Sequence, residues 1–152
     1  MDNHNFLKVD IIGRKEKVNL TEFDFLGLTA KIDTGAYTSS IHCSRIKEIT
    51  TKNGDKRLYF RLLDPSYPKY QEKKYSTKKY TQKLVKSSNG KSELRYVIET
   101  EIQIGANIFI AEFTLSNRKD MKYPILIGRK LIKHKYLVDV SKVYLQKIKV
   151  PK

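Results

Sequence analysis

Two adjacent stretches in which apolar and polar side chains alternate restrict the possible folds of this chain more than any other feature. Ile98, Thr100, Ile102 and Ile104 occupy one phase and Val97, Glu99, Glu101 and Gln103 the other. Phe109, Ala111, Phe113 and Leu115 then alternate with Ile110, Glu112 and Thr114. A two-residue period places successive side chains on opposite faces of a strand, and an amphipathic helix cannot use it. Gly105, Ala106 and Asn107 lie between the runs as a hairpin turn. Asn53-Gly54 marks a second hairpin, between residues 46–51 and 57–63. Further strands are expected over residues 7–12, 28–33, 124–127, 136–140 and 143–150, and residues 129–133 suit a lone helical turn. The pattern predicts an all-β domain.

The segment from residue 64 to about 92 departs from that pattern. It carries two prolines, tyrosines and many lysines with little alternation, and reads as a long basic loop or flap-like insertion. With 152 residues the chain has material for one sizeable core, so residues 1–152 are expected to form a single domain. There is no apolar run of membrane-spanning length and no basic-then-apolar leader after Met1, which points to a cytoplasmic protein with no membrane partner, although a leader already removed would leave no trace. Cys43, the one cysteine, allows no disulfide within the chain.

The net charge of +15 is unevenly spread. Residues 69–95 carry nine basic and two acidic side chains, and residues 129–152 eight and one, so each stretch nets +7. Such runs are either solvated surface or a face for an acidic partner. Nucleic acid is disfavoured as that partner, because Lys heavily outnumbers Arg and no nucleic-acid-binding motif appears.

The chemistry-bearing element is the apolar run 28–32 leading directly into Asp33-Thr34-Gly35-Ala36. Hydrolysis by carboxylates needs an acid held on a turn where its oxygens reach a water. Gly35 would supply permissive backbone for close approach and Thr34 a hydroxyl to fix the loop. An ordinary β-turn capped by Asp has the same appearance. A second element lies about ninety residues on, where Pro124-Ile125-Leu126-Ile127-Gly128-Arg129 is an apolar strand ending in Gly, before Lys130, Leu131 and Ile132.

This pairing resembles the retropepsin-like aspartic peptidases. The resemblance implies that the strand before Gly128 packs beside the Asp33 loop in a crossed, psi-shaped arrangement within a closed acid-protease barrel. That barrel would have one short helix and a long middle loop. A closer resemblance covers nearly the whole chain. Ile12-Gly13-Arg14-Lys15-Glu16, Ala30 to Ala36, Thr38-Ser39-Ser40-Ile41-His42, Ser87-Ser88-Asn89-Gly90, and Leu126 through Asp139 are similar to one bacterial family. That family is usually labelled ATP-dependent zinc protease, is RimB-like, and is associated with the RimK-type glutamate ligases. Many members carry Arg after the Asp-Thr-Gly-Ala element, where this chain has Tyr37. Retroviral enzymes often carry an acid there that pairs with the Arg after the second Gly, so the partner of Arg129 is open.

What the resemblance implies is a homodimeric endopeptidase. Asp33, Thr34 and Gly35 of each copy would form the catalytic loop, with Ala36, His42, Ile127, Gly128 and Arg129 as support. The substrate would be a peptide, with acidic or glutamate-rich sequences suggested by the basic surface and the ligase association. No cofactor is expected, and no metal. Zinc needs three converging ligands, whereas His4 lies near the terminus, His42 and Cys43 would face opposite sides of a strand, and His134 stands apart. Neither nucleotide-binding glycine motif occurs. Ser87 and Ser88 lack a nucleophile-elbow setting. Asp139 reads as a structural acceptor, with Arg129 as one possible donor, His42 as a hydrogen-bonded residue near the Asp33 loop, and Cys43 as a small buried hydrophobe. Two other functions fit parts of the sequence: a non-catalytic binding or regulatory domain whose basic face holds an acidic partner, and a zinc-dependent hydrolase.

Overall fold

The structure is a computed structural model that describes residues 9–86, 89–117 and 122–148. His4, Ser87, Ser88 and the start of the strand expected from residue 7 lie outside the described residues. Among the described residues eleven strands and one short α-helix follow in order, with a 3-10 turn at Thr21–Phe23 between the second and third strands: β1 (Asp10–Gly13), β2 (Lys15–Leu20), β3 (Phe25–Ile32), β4 (Ser39–Thr50), β5 (Lys56–Leu62), β6 (Tyr75–Thr77), β7 (Thr81–Lys86), β8 (Ser92–Ile104), β9 (Asn107–Ser116), β10 (Ile125–Ile127), α1 (Arg129–Ile132) and β11 (Tyr136–Asp139). The all-β expectation and the single short helix are both met. Among the described residues no helix is long and apolar enough to cross a membrane.

The alternating runs form the β8–β9 hairpin, with Ile98 opposite Phe113 and Ile102 opposite Phe109; the turn is Gly105-Ala106, since Asn107 already pairs with Ile104. Val97, Ile98, Thr100, Ile102 and Ile104 are buried, while Ile110 on the outer face is exposed. The Asn53-Gly54 turn joins β4 and β5, with Gly54 in the left-handed region at φ 84°. A side chain at that φ is strained, which is why Gly occupies the turn.

Strand order β10-β3-β2-β8-β9-β4, with β4 pairing back onto β10, closes six strands into a ring. β5 and β6 extend from β4, β7 lies outside β8, and β1 pairs with β11 as a separate parallel ribbon. Ring closure pairs β10 on both sides, parallel to β3 along all three residues and antiparallel to β4 at Ile125 and Leu126. A strand bonded on both sides and buried on both faces reads as a continuous apolar run, and Ile125-Leu126-Ile127 is one.

The expectation of a long loop over 64–92 is corrected in part. β6 and β7 lie inside it, and the tyrosines are its anchors. Tyr75 meets Phe23 edge-on at 4.8 Å and donates its hydroxyl to the Phe23 carbonyl at 2.8 Å. The Tyr80 hydroxyl donates to Glu48 at 2.6 Å. These are short, half-exposed strands whose two phases carry little apolar contrast: in β7 Lys83 and Val85 are half-buried while Leu84 is exposed.

Residues 143–148 are not the expected strand. Tyr144 sits at φ 54°, and its N–H donates to the Lys15 carbonyl at 2.9 Å. The next two N–H groups, of Leu145 and Gln146, donate to the fully buried carboxyl group of Glu16 at 3.0 and 2.8 Å, and Gly13 N–H donates to it at 2.7 Å. A buried carboxyl group is costly without partners, so these three donors both stabilise Glu16 and hold the segment out of any sheet.

Candidate active-site loop

Asp33 follows β3 directly, and its position is set by backbone. Ile127 pairs with Ile32 in the parallel ladder, and the Asp33 N–H extends that ladder by donating to the Ile127 carbonyl at 2.8 Å. The chain then turns, with Ala36 N–H donating to the Asp33 carbonyl at 3.2 Å and Gly35 N–H to Asp33 Oδ1 at 3.1 Å. The carboxyl group is half-buried, and Thr34 and Gly35 at the loop tip are exposed.

The segment after β10 crosses the same loop. Gly128 N–H donates to Ser39 Oγ at 3.0 Å, Arg129 N–H to the Ala36 carbonyl at 2.8 Å and Lys130 N–H to the Tyr37 carbonyl at 3.0 Å. This is the crossed arrangement expected from the two motifs, and it brings Asp33, Ala36, Ile127, Gly128 and Arg129 together. Two of the expected roles change. Gly35 is not in the left-handed region, and a methyl group there would meet only Asp33 Oδ1 at 3.4 Å, an ordinary contact. Nothing within the described chain therefore demands glycine at 35. Gly128 is the sterically required one, since a methyl group would lie 2.7 Å from the Tyr37 carbonyl oxygen and 2.8 Å from Thr38 backbone. Thr34 ties into the site through its carbonyl, which accepts from Arg129 Nη1 at 2.9 Å.

That bond also answers the question of the Arg129 partner. The guanidinium bonds the loop backbone and lies 5.8 Å from the Tyr37 ring centroid, a cation–π distance. Tyr37 thus faces the cation from the position that follows the Asp33–Ala36 element. Asp139 is not involved: its Oδ1 accepts from the Ser141 N–H and hydroxyl at 3.0 and 2.6 Å. From the flap-like segment, Lys83 on β7 reaches the loop, donating to Thr38 Oγ1 at 2.7 Å with its ammonium 5.5 Å from the Tyr37 centroid. Lys83 was not singled out in the sequence, where it is one lysine among many.

His42 lies on β4, and its backbone N–H donates to the Pro124 carbonyl at 2.8 Å, three residues before Ile127. Its buried ring is engaged away from Asp33, by the Ser116 carbonyl at 3.1 Å and Asp64 Oδ2 at 2.5 Å. It braces β4, β9 and the start of the 64–92 segment against one another. Burial pushes the Asp64 pKa up, but hydrogen bonds from Ser66 and His42 outweigh it and hold the carboxyl below its ordinary value. A carboxyl depressed on folding contributes stability above its unfolded pKa and loses that contribution as pH falls through the folded one. Asp64→Asn is therefore expected to flatten the acid limb of a Tm-against-pH profile below about pH 4. A limb of unchanged slope would show that the pair contributes nothing.

The residues a zinc site would call on do not converge. The His42 ring nitrogens are engaged, His134 is exposed, and Cys43 is fully buried, where desolvation raises its thiol pKa and disfavours the thiolate that binds metal. Among the described residues no group of three His, Cys, Asp or Glu side chains is placed to hold a metal ion.

Comparison with known proteins agrees with this geometry. The profile of the family described as "Retropepsin-like aspartic endopeptidase RimB" matches residues 11–149. A Shewanella pealeana protein named "Probable alpha-L-glutamate ligase" is 36% identical over 134 residues, covering 88% of this chain and 29% of its own length. A Desulfotalea psychrophila protein of the same name is 29% identical over 129 residues, covering 85% and 28%. The chain thus spans less than a third of these relatives. A crystal structure of a Legionella pneumophila protein of unknown function superposes with a TM-score of 0.65 at 30% identity, covering 91% of this chain and 98% of that one. With a profile match over nearly its whole length and the crossed Asp33–Gly128 junction that its motifs imply, the chain belongs to the RimB-like family of retropepsin-like aspartic endopeptidases.

Proposed function

We propose that two copies of this chain form a peptidase in which their Asp33 carboxyl groups hold one lytic water, and that its substrates are acidic, glutamate-rich peptides. The observation that carries this reading is the Asp33 carboxyl, placed by backbone hydrogen bonds beside an exposed loop tip. The Asp-Thr-Gly element occurs once in the chain, so a second carboxyl requires a second copy. Two carboxyls about 3 Å apart cannot both ionise comfortably and share one proton. The ionised member takes a proton from the water as it attacks the scissile carbonyl, and the protonated member gives its proton to the carbonyl oxygen. Collapse of the tetrahedral intermediate breaks the C–N bond, and the proton first taken from water passes to the leaving amine.

For the substrate class, Arg129 and Lys83 place positive charge at the loop rim within a chain of net charge +15. The relatives named as glutamate ligases carry a domain like this one in the same polypeptide, so a peptidase acting on glutamate chains would meet its substrate there.

Dilution tests the shared site. Cleavage of a glutamate-rich peptide, per chain, is expected to fall steeply across the concentration range where light scattering reads dimer going to monomer. A neutral peptide of equal length is expected to be cut more slowly at low salt, the difference shrinking as salt rises. A rate proportional to chain concentration down into the monomer range would rule out a site built by two copies. Equal rates on both peptides at low salt would remove the acidic class.

A further inference from the structure

Two adjoining cavities on the face of β2 and β3, of about 380 and 410 Å³, share Lys17, Gly27 and Tyr144 in their walls. Through these shared walls they make one groove, with Tyr144 lining both parts. This groove is not the Asp33 site. Thr29 and Pro124, which line it, each precede the Asp33–Gly128 junction by four residues on parallel strands, about 13 Å of extended chain.

Its walls alternate ammonium and aromatic groups. Lys15, Lys17, Lys69 and Lys122 line the first cavity with Tyr123 and Tyr144, and Lys17 and Lys147 line the second. No Asp or Glu lines either cavity among the described residues. Lys15 Nζ lies 5.8 Å from the Tyr123 centroid and 5.6 Å from that of Tyr144, and Lys122 Nζ lies 5.8 Å from Tyr123. Lysine tips are flexible, so these ring faces can be exchanged for another planar group while the ammoniums move to its charges.

Tyr144 is also held in place at a cost. At φ 54° a bulky residue is an outlier, and outliers of this kind persist where the surroundings over-determine them, which is common at binding sites. Here the Lys15 carbonyl and the Glu16 carboxyl fix residues 144, 145 and 146 from beneath.

We propose that this groove binds single-stranded nucleic acid, with bases stacking on Tyr144 and Tyr123 and phosphates neutralised by the lysines. A positive, carboxylate-free groove combined with fixed aromatic faces is the general chemistry of sequence-tolerant single-strand binding. A polyglutamate would use the lysines but offers no aromatic base to stack on the rings. The sequence disfavoured nucleic acid for want of a motif. The groove needs none, because its lysines and tyrosines come from four separate segments.

The test is fluorescence anisotropy of the full chain with a labelled oligothymidylate of about twelve nucleotides over a salt series, with a polyglutamate of matched charge as competitor. Tyr144→Phe keeps the ring and is expected to bind within about two-fold of wild type. Tyr144→Asn, a residue type at ease with that backbone, is expected to weaken binding roughly ten-fold. Lys122→Gln, on the exposed rim, is expected to lower the log–log salt slope by about one. Absence of salt-sensitive binding, equal displacement by polyglutamate, an Asn variant that binds like wild type, or an unaltered slope in Lys122→Gln would each overturn the proposal. Peptidase activity plays no part in these readings.

Discussion

If two copies share one lytic water as proposed, replacing Asp33 with asparagine is expected to lower peptide hydrolysis by at least about a thousand-fold while leaving the fold and the association of the two copies in place. The fold survives because asparagine keeps the Oδ1 acceptor that the Gly35 N–H now reaches at 3.1 Å, and the loop is otherwise held by backbone donors from Asp33, Ala36, Arg129 and Lys130. Activity is lost because the proton-sharing pair disappears. In the proposed two-copy site a single substitution removes both carboxyls, so neither a base for the water nor an acid for the carbonyl oxygen remains. Mixing wild-type and variant chains sharpens the result, since a heterodimer with one carboxyl lacks one of the two roles. Activity should then fall faster than the fraction of wild-type chains. An Asp33→Asn enzyme that cleaves at the wild-type rate, or mixtures whose activity tracks wild-type content linearly, would remove Asp33 from the chemistry.

Gly128→Ala is expected to destabilise the chain by about 3 kcal/mol, a Tm loss of about 10 °C for a chain of this size. The φ of Gly128 is −91°, which any residue adopts, so the effect is steric and not conformational. The added methyl would lie 2.7 Å from the Tyr37 carbonyl oxygen and 2.8 Å from the carbonyl carbons of Tyr37 and Thr38. These are backbone atoms that bond Gly128's neighbours, so they cannot swing aside as a side-chain tip could. Relief requires β10 to move from the Asp33 loop, loosening the Gly128–Ser39 bond and the Arg129 and Lys130 bonds beyond it. Gly35→Ala is the contrast, because its nearest atom is at 3.4 Å and its Tm should stay within about 2 °C of wild type. Equal melting temperatures for Gly128→Ala and wild type would show that the junction yields more easily than its geometry indicates.

Much of the architecture could be read from the amino-acid sequence because it depends on local pattern. The β8–β9 hairpin follows from period-two alternation around Gly105-Ala106, and β10 from an apolar triplet flanked by Pro124 and Gly128. The 64–92 segment was harder to read, since Tyr75 and Tyr80 anchor its strands through single hydroxyls and ring edges that leave no apolar periodicity. The expected strand over 143–150 failed for a related reason. Glu16, more than a hundred residues earlier, takes the N–H groups that a sheet partner would have used.

The candidate site divides in the same way. Asp33, Gly128 and the junction between them were visible because each stands at the end of a short apolar strand, a feature that needs only a few consecutive residues. Tertiary structure alone decided that Arg129 bonds the Thr34 carbonyl and faces Tyr37, that Lys83 reaches Thr38, and that His42 turns to Asp64. It also decided that lysines and tyrosines from residues 15–17, 69, 122–123 and 144–147 share one groove. Strand formation is governed by near neighbours, whose pattern is written along the chain. The partners of charged and aromatic side chains are governed by ring closure, which brings together residues that carry no mark of one another in the sequence.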